Sequence, residues 1–572
     1  MLRPLFPYLK SYKKQLILGP FFKLIEAVFE LCLPMVMAEL IDRGVKAGNG
    51  DLVVRYGLVI LGLAVLGACS AYVCQYYASI ASQGFGTRLR SSLFEKLGQF
   101  SFAELDSFGT ETLVNRLTND VNQLQQAVAM IIRLVIRAPF LCLGGLVMAL
   151  IINPLLSLVL FVAVPVLAAA LYLIMKKTAP LFGRQQKKLD RLALDVKENL
   201  AGSRVIRAFD KQAEQEAEFA EDNAAFYRAA MRIQKISSLL NPATLLIINL
   251  AMVAILWFGG VQVNAGSMTQ GEVVAYINYA TIISSAMIVL SNLVVLFTKA
   301  WASAGRVTEI LQTRPSVADD PRAIPLPPPS EAPAVRFEQV SFAFSEDGQN
   351  VLDGLDFEVG RGQKFGIIGP TGSGKSTLIN LLCRFYDVGA GSVSVNGSDV
   401  RKVRQASLLK GVGLVPQKIS LLSGTVRSNL ALGLNDPKDE KLWKALDIAQ
   451  CGFVREKEGL ETEVRQNGAN FSGGQKQRLT IARALAKDPE ILIFDDSLSA
   501  LDSLTCANLL RALKEAFPDL TLFLVSQRVS TVQDCDQILV LDNGRPAGLG
   551  RHEELLDSCA LYREIYQSQV QS

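Results

Sequence analysis

The residues of this 572-residue chain best suited to chemistry lie in its second half. Positions 369–377 read Gly369, Pro370, Thr371, Gly372, Ser373, Gly374, Lys375, Ser376 and Thr377, between the apolar run KFGII and the helical-looking LINLLCRF. Glycines at this spacing let backbone N–H groups curl around phosphate oxygens that side chains would obstruct. Strand, glycine-rich loop and helix in that order make a phosphate-binding loop. Lys375 is then placed to reach β- and γ-phosphates, and Ser376 to offer its hydroxyl to Mg²⁺. A second apolar run, EILIFDD, ends in Asp495 and Asp496. The first of these acids has the position from which a carboxylate holds Mg²⁺ through water. Acids at strand ends are common, so Asp495 gains its meaning from the loop upstream.

Positioning these groups requires strands that end side by side. From residue 335 onward strand-like and helix-like segments alternate, the pattern of an α/β domain. Residues 314–334 hold seven of the 22 prolines and read as a stiff, extended linker. Residues 1–313 are of another kind. Residues 138–175, 240–271 and 273–298 contain no Asp, Glu, Lys or Arg, and 52–82 only Arg55. A helix crosses a bilayer in about 20 apolar residues. Asn153-Pro154 divides the first run into a transmembrane hairpin. A less apolar candidate at 16–41, with Lys23, Glu26, Glu30 and Glu39 inside it, brings the expected count to six spans. Lys and Arg crowd the N-terminus, the segment between spans two and three, and residues 176–236, and are missing from the loops at 153–154 and 259–272. That asymmetry places both termini in the cytoplasm of a multi-pass plasma-membrane protein, with an uncleaved first span. The two long charged segments after spans two and four look like membrane helices continuing into the cytoplasm, each turning at a short connecting helix.

Composition narrows the chemistry further. A net charge of +4, from 58 basic and 54 acidic residues, gives no field for nucleic acid. One histidine, His552, excludes sites built on several His ligands. Nine scattered cysteines without a C-x-x-C pair do not suggest a disulfide scaffold.

Between the loop and the two aspartates lies NFSGGQKQRLTIARAL. With Ser472, Gly473, Gly474 and Gln475, FSGGQ is similar to the signature motif of ABC transporter ATPases. VPQ, ending in Gln417, resembles that family's Q-loop, and SALD, ending in Asp502, its D-loop. Phe344, in VSFAF, resembles the aromatic that stacks on adenine, where family members usually carry Tyr. Segments 106–121 and 198–209 look like the intracellular loops of the exporter branch. The resemblance implies ATP and Mg²⁺ as cofactors, Mg²⁺ being held by Ser376, Gln417 and Asp495. It also implies two ATPase domains dimerising head to tail, so that the signature residues contact ATP on a partner chain. With one P-loop and six spans, the chain would be half of a transporter. The expected fold is a two-domain one: an all-α membrane domain (1–313), the linker (314–334) and an α/β P-loop ABC domain (335–572).

Three departures from the family gather near the γ-phosphate. A glutamate that polarises the attacking water usually follows the Mg²⁺ aspartate, and here Asp496 replaces it. The switch histidine is replaced by Gln527, which can donate a hydrogen bond but cannot exchange a proton near neutral pH. A Gly-Glu pair is replaced by Arg465 and Gln466. Altered Walker motifs beside an intact signature resemble the degenerate-site subunit of a bacterial heterodimeric multidrug exporter. Its partner would carry the Glu and His. A homodimer with two slow sites, exporting drug, lipid or peptide, and an ATP-gated channel or regulatory subunit are the alternatives. Substrate contacts are sought at Glu26 and Glu30 on one face of the first span, and at Arg133 and Arg137 near the start of the third. Ionisable groups at membrane depth face a cavity or one another. A polar lining would suit charged, small amphipathic compounds, and the expected partners also include the membrane lipid.

Overall fold

The computed structural model describes residues 3–345 and 348–570. They group into two units. One comprises the chain up to Gly98 together with Glu111–Thr313, and the other Gln99–Thr110 together with the chain from Arg314 onward.

In the first unit, five helices are long and apolar enough to cross a membrane by length and composition: Gly50–Leu97, Thr110–Ile152, Pro154–Ala201, Gln212–Asn264 and Gln270–Gln312. The sixth expected span is a helix, Lys13–Glu39, of 27 residues. Lys23, Glu26, Glu30 and Glu39 leave it without the uninterrupted apolar stretch of the other five. Along Gly50–Leu97 the apolar side chains Val54, Leu58, Leu61 and Leu66 are all more than half exposed, an outward face suited to hydrocarbon rather than water.

The hairpin turn at Asn153-Pro154 follows from local chemistry. Asn153 accepts the Leu155 and Leu156 N–H groups at 3.0 and 3.1 Å, and Pro154 occupies the first helical position, where it has no N–H to leave unpaired. Thr269 and Glu272 form a reciprocal cap where Gln270–Gln312 begins. That helix is fastened through two fully buried tyrosines. The Tyr276 hydroxyl lies 2.5 Å from the Ala149 and Asn153 carbonyls, and Tyr279 donates to Leu31 O at 2.7 Å. Both side chains are packing elements, their polar tips satisfied inside the bundle.

The second unit joins two sheets. A four-stranded antiparallel sheet runs in the order Leu352–Val359, Val335–Phe342, Ala390–Val395, Ser398–Asp399. A six-stranded sheet runs Arg545–Gly550, Gln537–Asp542, Lys364–Ile368, Thr521–Ser526, Ile491–Asp495, Val412–Val415, all parallel except the first. A buried phenylalanine stack ties them together. Phe337 meets Phe357 at 4.7 Å, Phe357 meets Phe365 at 5.1 Å, and Phe365 meets Phe523 at 5.5 Å. Each fully buried Phe contributes roughly 1.5–3 kcal/mol, which fixes the P-loop strand against both sheets.

Short helices stand in both segments that the sequence marks as cytoplasmic turns, Phe102–Phe108 and Ser203–Ala208. The first belongs to the second unit. Glu104, buried there, accepts the backbone N–H of Ser101 at 2.9 Å and of Ser316 at 3.0 Å.

Candidate functional site

The parallel strands carry the expected groups to one edge of the sheet. Val412–Val415 leads to Gln417, Ile491–Asp495 to Asp496, Thr521–Ser526 to Gln527, and Lys364–Ile368 to the loop at 369–377. Open α/β sheets hold ligands beyond the carboxyl ends of their strands. The strand ending at Gln527 lies between the P-loop strand and the strand ending in the aspartates.

The loop's shape demands its glycines. Gly374 has φ 97°, and a Cβ there would come within 2.6 Å of Leu352 Cδ2. Lys375 is buried, its Nζ donating to the Gly369 and Pro370 carbonyls at 2.8 and 2.7 Å. Burial holds the Lys375 ammonium below the usual lysine range, against the opposing charges of Asp496 and Asp495. Ser376 Oγ donates to Asp495 Oδ1 at 3.1 Å. Burial pushes the Asp495 carboxyl up, the Ser376 bond opposing it and the Asp496 charge adding to it. Asp496 is likewise raised by burial, with Lys375 and Arg528 opposing. A hydroxyl oxygen beside a carboxylate oxygen is a donor set that fits Mg²⁺, which takes oxygen ligands, often one or two carboxylates plus phosphate. Among the described residues there is no group of three or more His, Cys, Asp or Glu that could hold a metal ion by itself. A cation at Asp495 therefore needs phosphate or water to complete its shell.

Gln527 meets the phosphate loop directly, and Asp496 faces both the charge of Lys375 and the side chain of Gln417. Gln417 Nε2 lies 3.5 Å from Asp496 Oδ2, and Thr371 Oγ1 lies 3.4 Å from Gln527 Oε1. At these lengths the contacts are weak and easily exchanged for a ligand's oxygens. Asp496 has φ 46°, a left-handed conformation that costs most residues about 1–2 kcal/mol. Its N–H donates to Val525 O at 2.9 Å and its carbonyl accepts from Ser499 Oγ at 2.8 Å, so the backbone aims the carboxylate.

The signature segment is built differently. Ser472 caps the helix Gly473–Leu485 in a reciprocal box, accepting from Gln475 N at 3.4 Å while Gln475 Oε1 accepts from Ser472 N at 3.0 Å. Ser472 and Gly473 are exposed, and a Cβ on Gly473 would meet nothing within 4 Å. Among the described residues no hydrogen bond joins 472–475 to the loop at 369–377. Asp502 caps the next helix by accepting Thr505 N at 2.9 Å.

Phe344 is 58% exposed, its ring edge-on to Phe342 at 5.0 Å and to Tyr386 at 5.4 Å. Tyr386, which sequence reasoning passed over, donates to Asp106 Oδ2 at 2.9 Å; burial, with help from Asp106, pushes its phenol up to about 12. The signal available was its aromatic pair with Phe385 just beyond the P-loop helix. His552 stands apart from the loop and bonds the Tyr562 hydroxyl through Nδ1 at 2.8 Å.

The four expected membrane-side residues divide. Arg137 Nη2 pairs with Glu30 at 2.6 Å and its Nε lies 3.9 Å from Glu26, which also pairs with Lys23 at 2.6 Å. Arg133 instead donates to Ser79 Oγ at 3.2 Å. Arg133 lies in a π-type turn over Ile131–Val135 and Arg137 opens the regular helix that follows, and the two take different partners.

Comparison with known proteins agrees with this geometry. Residues 16–287 match the family model described as the ABC transporter transmembrane region, and residues 352–499 the model described as ABC transporter. The chain is similar to the uncharacterized ABC transporter ATP-binding protein MT1311 of Mycobacterium tuberculosis, 38% identical over 98% of this chain and 97% of the relative. It is also similar to the uncharacterized ABC transporter ATP-binding protein YfiB of Bacillus subtilis, 34% identical over 98% of this chain and 97% of that protein. Among solved structures it resembles a bacterial Atm1-family ABC exporter with ATP bound, with TM-score 0.82, 26% identity, and coverage of 97% of this chain and 98% of the other.

Proposed function

The chain belongs to the ABC transporter family as an exporter-type half-transporter, and on that premise we propose that it is one half of a heterodimeric exporter whose own Walker-side site hydrolyses ATP slowly. A membrane-embedded domain is fused to an ABC ATPase domain that binds ATP and couples its hydrolysis to transport, and exporters of this kind work as dimers of half-transporters. The helix Lys13–Glu39 is a sixth span, its charged face inside the bundle. The ATPase domain and N-terminus are cytoplasmic at the plasma membrane. The cargo is a small amphipathic or drug-like molecule. The Lys and Arg asymmetry of the loops supports the orientation.

One observation carries the proposal: Gln527 and Asp496, both changed from the family pattern, face the same phosphate loop, Gln527 through Thr371 and Asp496 through the charge of Lys375, whereas the signature segment keeps the family's residues with Ser472 and Gly473 exposed. Lys375 neutralises the β- and γ-phosphates, and Phe344 offers a ring face to adenine. Ser376, Asp495 and Gln417 would hold Mg²⁺, which supplies charge neutralisation between the phosphates. Asp496 is one methylene short of the usual glutamate, and misplacement of a reacting group by about 1 Å costs on the order of 10²-fold in rate. Gln527 can hydrogen-bond a γ-phosphate oxygen but cannot accept a proton. Ser472 and the helix N-terminus behind it would meet the γ-phosphate held by the partner, where helix N–H groups favour an anion.

The test is ATPase activity of the purified full chain alone and together with a half-transporter carrying Glu and His at the matching positions. The lone chain should turn over at about one-hundredth of the pair's rate. Equal turnover by the lone chain overturns the heterodimer.

A further inference from the structure

The turn that carries Gln527 is held from outside by the last described helix of the chain. Gln569, on the helix Ala560–Val570, donates through Nε2 to the Gln527 carbonyl at 2.7 Å and accepts the Val529 N–H through Oε1 at 2.8 Å. One primary amide thus satisfies an acceptor and a donor two residues apart, a match available only to a group with both functions on one carbon. The inner side of the same turn is fixed by Ser526, whose Oγ accepts the Arg528 N–H at 3.0 Å. The helix bearing Gln569 is itself anchored. Tyr562 is fully buried in the core that also contains Val529 and Val532, and its hydroxyl bonds His552 Nδ1 at 2.8 Å. Tyr566, one turn further along, lies edge-on to the His552 ring at 5.4 Å.

We infer that Gln569 is a positioning residue for the switch position: it fixes the backbone from which Gln527 reaches toward the γ-phosphate, and so sets how well the site tells a triphosphate from a diphosphate. The chain's one histidine takes part from a distance, by seating the helix that presents the clamp. The inference rests on the reading of Gln527 as a γ-phosphate contact.

The test uses the full chain in lipid nanodiscs with Mg²⁺ and compares affinities for AMP-PNP and ADP by titration calorimetry. Gln569→Leu removes both clamp bonds and should lower the AMP-PNP to ADP affinity ratio about two- to five-fold, the worth of a modest hydrogen bond, while ADP affinity stays unchanged. Gln569→Glu keeps the acceptor for Val529 N–H but sets a carboxylate against the Gln527 carbonyl, and should fall no closer to the native ratio than halfway. Gln527→Ala provides the reference. A ratio lowered by Gln527→Ala but untouched by Gln569→Leu overturns the clamp. An equal loss of both nucleotides in Gln569→Leu marks a merely structural helix and overturns it too. A ratio unchanged by Gln527→Ala removes the γ-phosphate reading itself, and the clamp's role with it.

Discussion

The phosphate loop and its neighbours are closed within this chain, and the signature segment is not. Lys375 rests on the Gly369 and Pro370 carbonyls, Ser376 on Asp495, and Gln417 and Thr371 reach Asp496 and Gln527. Among the described residues Ser472 and Gln475 bond within their own helix cap, and Ser472 and Gly473 stand exposed. The two short connecting helices repeat the contrast. Phe102–Phe108 is tied down by Glu104, by Tyr386 on Asp106, and by Phe102 against the Phe385 ring at 4.5 Å. Around Ser203–Ala208, Leu200, Val205 and Phe209 are each at least 60% exposed. Clustered exposed apolar side chains mark a surface that something else covers. On the proposed reading the closed set includes the two altered positions, Asp496 and Gln527, and the signature segment retains the family's residues. In the proposed heterodimer the chain contributes most to catalysis through the parts it leaves unsatisfied.

The sharpest way to break this contrast is to damage one side at a time in the assembled pair. Gly474→Asp sets a carboxylate where the partner's γ-phosphate would lie and should reduce ATPase activity by about 10²-fold or more, the scale on which a transition-state charge contact matters. Lys375→Ala, on the closed side, should cost the pair less than about ten-fold, because that site already contributes little turnover. If Lys375→Ala proves the more damaging, the assignment of the competent site is reversed. Next in size is repair. Asp496→Glu combined with Gln527→His should raise hydrolysis by the chain alone between about ten- and one hundred-fold, measured as phosphate release. No gain would mean that the slow step lies elsewhere than in these two side chains.

Residues close in sequence were readable before the fold was known, and those brought together by topology were not. The loop at 369–377 announces itself because its glycines, lysine and serine act within nine positions. Asn153-Pro154 was equally legible, since both of its capping bonds are local. By contrast, the link from Thr371 to Gln527 depends on the Thr521–Ser526 strand inserting beside Lys364–Ile368, a pairing that no local pattern specifies. The different partners of Arg133 and Arg137, Ser79 and Glu30, come from helices more than fifty residues away and leave no mark in the local pattern. Tyr386 and Gln569 leave no local signal because their partners, Asp106 and the turn at Gln527, are distant in sequence.

Smaller effects separate the two connecting helices. Phe209→Ser removes a 73% exposed ring, so the chain alone should melt within about 0.5 kcal/mol of the native protein, as surface substitutions do. Transport by the assembled pair should nevertheless fall several-fold. Unchanged transport would remove Phe209 from any covered surface.

Glu104→Gln tests the closed turn, and its effect should run the other way. Burial pushes the Glu104 carboxyl up, but hydrogen bonds from Ser101 and Ser316 outweigh it and hold the group below the usual glutamate range. A carboxyl that titrates lower when folded stabilises the protein above its unfolded value of about 4.3, and that contribution is lost as pH falls through the lower folded value. Glutamine keeps one neutral acceptor, so at pH 7 the loss should be about 1 kcal/mol, or roughly 2–4 °C in the melting of the ATPase unit. The gap between native and Glu104→Gln proteins should narrow steadily as pH is lowered below about 4.3. A gap that stays constant into acid would mean that the Ser101 and Ser316 bonds do not depend on the carboxylate's charge. The closed turn would then be held by neutral hydrogen bonds, the Tyr386–Asp106 bond and packing of Phe102 on Phe385, and its contrast with the exposed turn would not rest on a buried, charged cap.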